Sequence, residues 1–231
     1  MKIRNLHSWN VSCAEAIRLQ YKLRSKLILK DGFRVIRRVA GCDIALDQET
    51  RRAFAGVIVY AWPGLEEIER KYSVQKVTFP YVPGLLAFRE APALLNVIAS
   101  LTHDPDLFIF DGQGIAHPRG MGIASHLGLF LDKPTIGCAK SRLCGSHEEP
   151  LKDKGVYAPL LAKDKSVIGA VLRTRRAVNP VFISPGHKIS LKTAIAIILQ
   201  ATDGYRIPKP TREADHYVEA VKREKRGTPH G

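Results

Sequence analysis

RVAGCDIAL at 38–46, a polar turn at 48–52, and AFAGVIVYAW at 53–62 decide the fold. Two β-rich apolar runs joined by a short turn read as a hairpin. Pro63-Gly64 closes the second run, and the looser alternation over 67–78 adds a third strand, giving an antiparallel three-strand meander. Beyond it the pattern changes. Residues 79–84 hold two prolines and a glycine and read as a loop, followed by a helix over 88–101. LFIF at 107–110 is short, wholly apolar and ends at Asp111, as a strand buried on both faces would. A glycine-rich loop (112–120), a helix (122–131) and a second buried strand (135–139) follow. Residues 156–161 and 167–173 read as a hairpin, 181–184 as a short strand, 190–201 as a helix capped by Ser190, and 211–221 as a last helix. Upstream, Ser12 and Glu15 have capping-box spacing before a helix running from Cys13 to about Ile28. The expected architecture is one α/β domain over 1–221, a mixed sheet with helices on both faces, followed by a basic tail over 222–231. Parallel strands are expected only in the second half.

The composition supports a packed body: 45% of the 231 residues are hydrophobic, which excludes a disordered chain. Lys and Arg number 36 against 22 Asp and Glu, a net charge of +14. Such a field attracts polyanions, nucleic acid first. An anionic membrane surface is the weaker reading, since no basic amphipathic helix dominates the chain. The four cysteines form no CxxC pair, which argues against a zinc site, and Cys42 and Cys138 lie in apolar runs as small buried hydrophobes. MKIRNLHSW has no signal-peptide-like run, and no segment approaches the ~20 apolar residues of a membrane span. A soluble, cytoplasmic, monomeric protein is expected.

Two acids stand out by position. Asp43 lies inside an otherwise uncharged run, and Asp111 directly follows LFIF. A buried carboxylate is costly unless paired or metal-bound, and hard oxygen ligands at strand ends suit Mg²⁺, with Mn²⁺ as a substitute. Each acid also has a plainer reading, Asp43 as a turn cap and Asp111-Gly112-Gln113-Gly114 as a tight turn. Glu90, near a helix start that favours acids anyway, is a third candidate. Asp215 is a fourth. His216 is adjacent to it on a helix, so only one of the two is expected to face a common site. His117 reads either as a core imidazole or as a phosphate contact, and His126 as a packing residue. Gly186 and His187 precede Ser190, where a helix N-terminus can bind phosphate.

Longer strings carry a family resemblance. Pro80-Tyr81-Val82-Pro83-Gly84-Leu85-Leu86-Ala87-Phe88-Arg89-Glu90 resembles the wedge segment of the endonuclease V family. Asp111-Gly112-Gln113-Gly114-Ile115-Ala116-His117-Pro118-Arg119 and Gly122-Ile123-Ala124-Ser125-His126-Leu127-Gly128 resemble its longest signature. Pro134-Thr135-Ile136-Gly137-Cys138-Ala139-Lys140-Ser141, Pro185-Gly186-His187-Lys188-Ile189-Ser190 and Pro210-Thr211-Arg212-Glu213-Ala214-Asp215 follow in the family's order. The resemblance spans about residues 10 to 216. It implies an RNase H-like fold and cleavage of the second phosphodiester bond 3′ to deoxyinosine, or to inosine in RNA, leaving 5′-phosphate and 3′-hydroxyl ends. It further implies Asp43 and Asp111 as Mg²⁺ ligands, Glu90 as a further catalytic carboxylate and Lys140 near the scissile phosphate. Tyr81 would be the wedge tip, with Pro80, Val82 and Pro83 beside it on DNA, and Gly84, Leu86, Gly112 and Ile123 would form the hypoxanthine recess. The chain departs from the pattern at Val82, at Cys138, at Asp215, where some members have His, and over Arg119-Gly120-Met121-Gly122, which replaces a bulkier or more basic segment.

Two other readings use the same residues. One is a different RNase H-like nuclease, such as a junction resolvase; the wedge and the Asp111 signature argue against it. The other is a non-catalytic nucleic-acid binder, which would have no use for acids at buried strand ends.

Overall fold

The computed structural model describes residues 1–226. Ser12 and Glu15 close the capping box at the start of α1 (Cys13–Arg24). The meander forms as β1 (Arg38–Asp47), β2 (Arg52–Ala61) and β3 (Glu67–Lys76), paired antiparallel. α2 (Leu86–Ala99), β4 (Leu107–Phe110), α3 (Ile123–Leu131) and β5 (Thr135–Ala139) build the crossovers. β6 (Tyr157–Leu161), β7 (Val167–Leu172), β8 (Val181–His187), α4 (Leu191–Ala201) and α5 (Lys209–Arg226) complete the chain. All strands join one sheet in the order β3-β2-β1-β4-β5-β8-β7-β6. The β1–β4 and β4–β5 pairs are parallel, so the first strand of the meander is also the first of the parallel set. β8 returns antiparallel to β5, and the β6–β7 hairpin extends that edge.

The two-residue period of a strand sorts the core into two layers. Ala40, Cys42, Phe108 and Phe110 pack with Leu94 and Ile98 of α2 and Leu127 of α3 on one face. Val39, Leu107 and Ile109 pack with Ile136, Ile183 and Ile198 of α4 on the other. Fully burying each such side chain contributes about 1.5–3 kcal/mol, which is why β4 is apolar on both sides. α5 crosses the second face closely. A side chain at Gly41 would run into the Pro210 backbone, and one at Gly56 into Val218.

Several boundaries differ from expectation. α1 ends at Arg24 rather than near Ile28, because the chain then leaves the helix to pair with the end of β8: Lys188 N–H donates to the Ile28 carbonyl at 2.6 Å. α2 starts two residues early, at Leu86, and holds Pro92 inside it. β8 extends to His187 instead of stopping at Ser184. α5 runs past Val221, since Val218 and Val221 pack on Ala45 and Phe54 and Arg226 forms a two-pronged ion pair with Asp47. The basic stretch 222–226 is therefore the end of a helix rather than a tail, and 227–231 lie outside the described residues. Among the described residues, no helix is long and apolar enough to cross a membrane.

Candidate active site

The parallel pairing of β1 and β4 sets Cys42 beside Phe110, so the next residues, Asp43 and Asp111, stand side by side at the carboxyl end of the sheet. The Asp111 N–H donates to the Cys42 carbonyl at 3.2 Å, which holds the two chains in step. Both acids fall on the odd positions of their strands, the face covered by α5, and α5 brings in Asp215. Carboxylate oxygens of Asp43, Asp111 and Asp215 lie within 4.8 Å of one another. Lys140, one residue past β5, places its Nζ 2.7 Å from Asp111 Oδ2 and 2.8 Å from Asp215 Oδ2.

The electrostatics follow from this crowding. Burial, and then the Asp111 charge, push the Asp43 carboxyl far above the usual carboxylate range. Glu90, in the second turn of α2, is pushed up to about 8 by burial and by the nearby Asp43. For Lys140, burial acts downward, but the two carboxylates at hydrogen-bond distance outweigh it and hold the ammonium charged. An ammonium drawn between two members of a tight acid cluster marks a place where positive charge is favourable. The donors are all hard oxygens, so the residues fit Mg²⁺ or Mn²⁺. Asp43, Asp111 and Asp215 are the three that can share one ion; Glu90 stands outside that set.

Beside the acids opens a cavity of about 430 Å³. Gly84, Leu86, Gly112 and Ile123 all line it, as do Asp111 and Lys140, so the recess residues open onto one edge of the acid cluster. Gly84 (φ 78°) and Gly112 (φ 145°) sit in backbone regions that side chains disfavour, and a side chain at Gly112 would press on Ile123. Leu86 and Ala87, the first residues of α2, are in the wall. The helix has no side-chain cap and no acid in its first turn, which leaves N–H donors at that end. Val82, Pro83 and Tyr81 form the rim. Tyr81 is 71% exposed, held between the exposed Pro80 and Pro83, while Val82 tucks against Phe79 and Leu85.

The phosphate readings of His117, Gly186 and His187 change. His117 does line the cavity but is buried with both ring nitrogens engaged. Nε2 donates to the Gly84 carbonyl at 3.0 Å and Nδ1 accepts from the Arg119 N–H at 3.1 Å, so neither is free for phosphate. Burial and the Arg119 charge lower its pKa to about 4, leaving it neutral. Gly186 and His187 are not a phosphate site either. Both are buried in β8, and the N-terminus of α4 is already filled by Asp31, whose carboxylate accepts from Ser190 N–H and Thr193 hydroxyl, each at 2.7 Å. His216 is exposed, and Asp215 is the neighbour that faces the acids. His126 is fully buried in an aromatic cluster with Trp9, Phe88 and Phe130, its Nε2 2.7 Å from that of His7. The sequence reading missed Gln20. Its signal was a polar residue on the buried stripe of α1, in line with Ala16 and Leu23.

The family model for endonuclease V matches residues 21–216. An endonuclease V from a Nostoc species is 47% identical over 216 residues, covering 93% of this chain and 97% of the relative. The crystal structure of endonuclease V from Streptomyces avermitilis superposes with a TM-score of 0.90 at 40% identity, covering 98% of this chain and 100% of that one. Ciona intestinalis endonuclease V in complex with a DNA 24-mer containing an inosine followed by a ribo-adenosine superposes with a TM-score of 0.79 at 27% identity, over 92% and 98% of the two chains.

Proposed function

The chain belongs to the endonuclease V family and is a DNA endonuclease of RNase H-like fold, and from that premise we propose that it recognises deoxyinosine and cuts the second phosphodiester bond 3′ to it in a Mg²⁺-dependent reaction. The observation that carries the reading is the cavity that joins the glycine-lined recess to Asp111 and Lys140, at the edge of the acid cluster, with Tyr81 projecting at its rim. A base turned out of the duplex into this recess keeps its own strand against the acids. Tyr81, braced by Pro80, Val82 and Pro83, stacks where that base has left. Hypoxanthine carries a carbonyl where adenine carries an amino group, so the free N–H groups at the start of α2 favour the first and oppose the second.

Asp43 and Asp111, with Asp215, would hold the metal. When bound, Mg²⁺ or Mn²⁺ supplies positive charge to the phosphoryl oxygens and lowers the pKa of a water. Lys140 adds a second cation against the charge that builds on the phosphate, and Glu90 serves as a further carboxylate for proton handling at neutral pH. Hydrolysis breaks the P–O3′ bond, leaving a 3′-hydroxyl and a 5′-phosphate. The recess contacts only the base, so inosine in RNA is a second substrate of the same site. The reading extends to a cytoplasmic monomer acting in repair of deaminated adenine.

The test is a panel of matched duplexes carrying inosine or adenine at one position, with Mg²⁺. Selective nicking of the inosine strand is the expected result. Equal cutting of both would remove the base specificity and leave only a nuclease.

A further inference from the structure

We infer that Gln20, His117 and Arg119 act as positioning residues which saturate the Gly84 carbonyl and thereby set the base preference of the recess; this rests on the base-recognition role proposed for that cavity. One oxygen accepts three donors: Gln20 Nε2 at 2.9 Å, His117 Nε2 at 3.0 Å and Arg119 Nη2 at 2.6 Å. The donors are themselves tied together. Arg119 Nε donates to Gln20 Oε1, Gln20 Nε2 also reaches the Met121 carbonyl at 3.2 Å, and the backbone N–H of Arg119 fixes the His117 tautomer by donating to its Nδ1. Gln20 is fully buried and His117 nearly so, so each donor is held in place by its surroundings. The network joins α1, the wedge loop and the loop after β4 at a single atom. It draws on Gln20, which precedes the family-model match, and on Arg119, which opens the segment where this sequence departs from the family pattern.

The chemistry of that atom matters because Gly84 lines the cavity. A carbonyl has two lone pairs, and here three donors, one a guanidinium, consume them. The three donors therefore fix the Gly84 peptide and, with it, the wall against which a flipped base is matched. Freed from the clamp, the Gly84 backbone becomes easier to reorient, since glycine at φ 78° has little steric restraint of its own.

The experiment compares the wild-type chain with Gln20→Leu, Gln20→Glu and Arg119→Lys. Gln20→Glu keeps the acceptor for Arg119 but removes the donor to Gly84, and it covers the case in which Gln20→Leu does not fold. Affinities for duplexes with one deoxyinosine or with adenine at the same place are read by fluorescence anisotropy in EDTA, alongside thermal melting. In folded variants the inosine-to-adenine affinity ratio should fall about tenfold, the equivalent of one well-formed hydrogen bond, while adenine-duplex binding stays level. Folded variants that keep the wild-type ratio, or lose both affinities equally, would overturn the clamp. A wild-type ratio of one would instead overturn the inosine reading on which it stands.

Discussion

Asp43, Asp111 and Asp215 converge from two strands and a helix, and burial beside the Asp111 charge makes Asp43 costly to ionise. Loss of a partner that merely supports a metal ligand commonly costs about 10–100-fold, so Asp111→Asn should lower cutting by more than about 100-fold. Binding to inosine DNA in EDTA should survive, because the amide keeps the size and shape of the wall that Asp111 gives the recess; loss of both would place Asp111 in recognition instead. Glu90 gives a pH signature. Its pKa rises on folding from 4.5 to about 8, so the folded state holds the proton over that interval and stability falls as pH rises through it. His117 has the opposite shift, to about 4, and its contribution is complete above the ordinary histidine pKa of 6.5. Between pH 6.5 and 8 the metal-free protein should thus lose stability with rising pH, and Glu90→Gln should flatten that slope in thermal melts with EDTA. An unchanged slope would mean that Glu90 is not held protonated. Asp43 and Asp111 were legible as acids inside or directly after an apolar run, whereas Lys140 came only with the family resemblance. The histidines were not. What a ring nitrogen meets is settled by distant segments, as His117 by Gly84 and His187 by Ile28.

At the scale of elements, α5 matters most, since it carries Asp215 to the strand ends. Its seat on β1 depends on Gly41, where any Cβ would strike the Pro210 backbone. Gly41→Ala should therefore shift the helix, costing about 1–3 kcal/mol in denaturant unfolding, and should weaken Mn²⁺ binding at the acids through the displaced Asp215. Normal metal affinity in the folded variant would show that the site tolerates a moved helix. The strands were readable to within a few residues because the two-residue period and the apolar runs of 38–46, 53–62 and 107–110 are local signals. The helix ends and the length of β8 were less so. Arg24 and Arg226 are set by partners far along the chain, the latter by Asp47, 179 residues away. The same holds for the N-terminus of α4, which looked open to phosphate and is closed by Asp31.

The whole molecule carries +14 charges, and these attract any duplex, whether or not it holds a lesion. Affinity should fall steeply with salt, each phosphate contact adding about −0.9 to the log–log slope, and the slope should be the same for inosine and adenine duplexes. Different slopes would mean that the lesion recruits new phosphate contacts. Charge brings the strand to the protein, the recess selects the base, and the acids act on the bond beside it. The most direct test of that chain is an end-labelled duplex with one deoxyinosine, incubated with Mg²⁺, with EDTA, and with Mg²⁺ and Asp43→Ala. A single nick at the second bond 3′ of the inosine, present only with Mg²⁺ and the unmutated chain, is the predicted result. A nick that persists in EDTA or in Asp43→Ala, or that ignores the inosine, would contradict it.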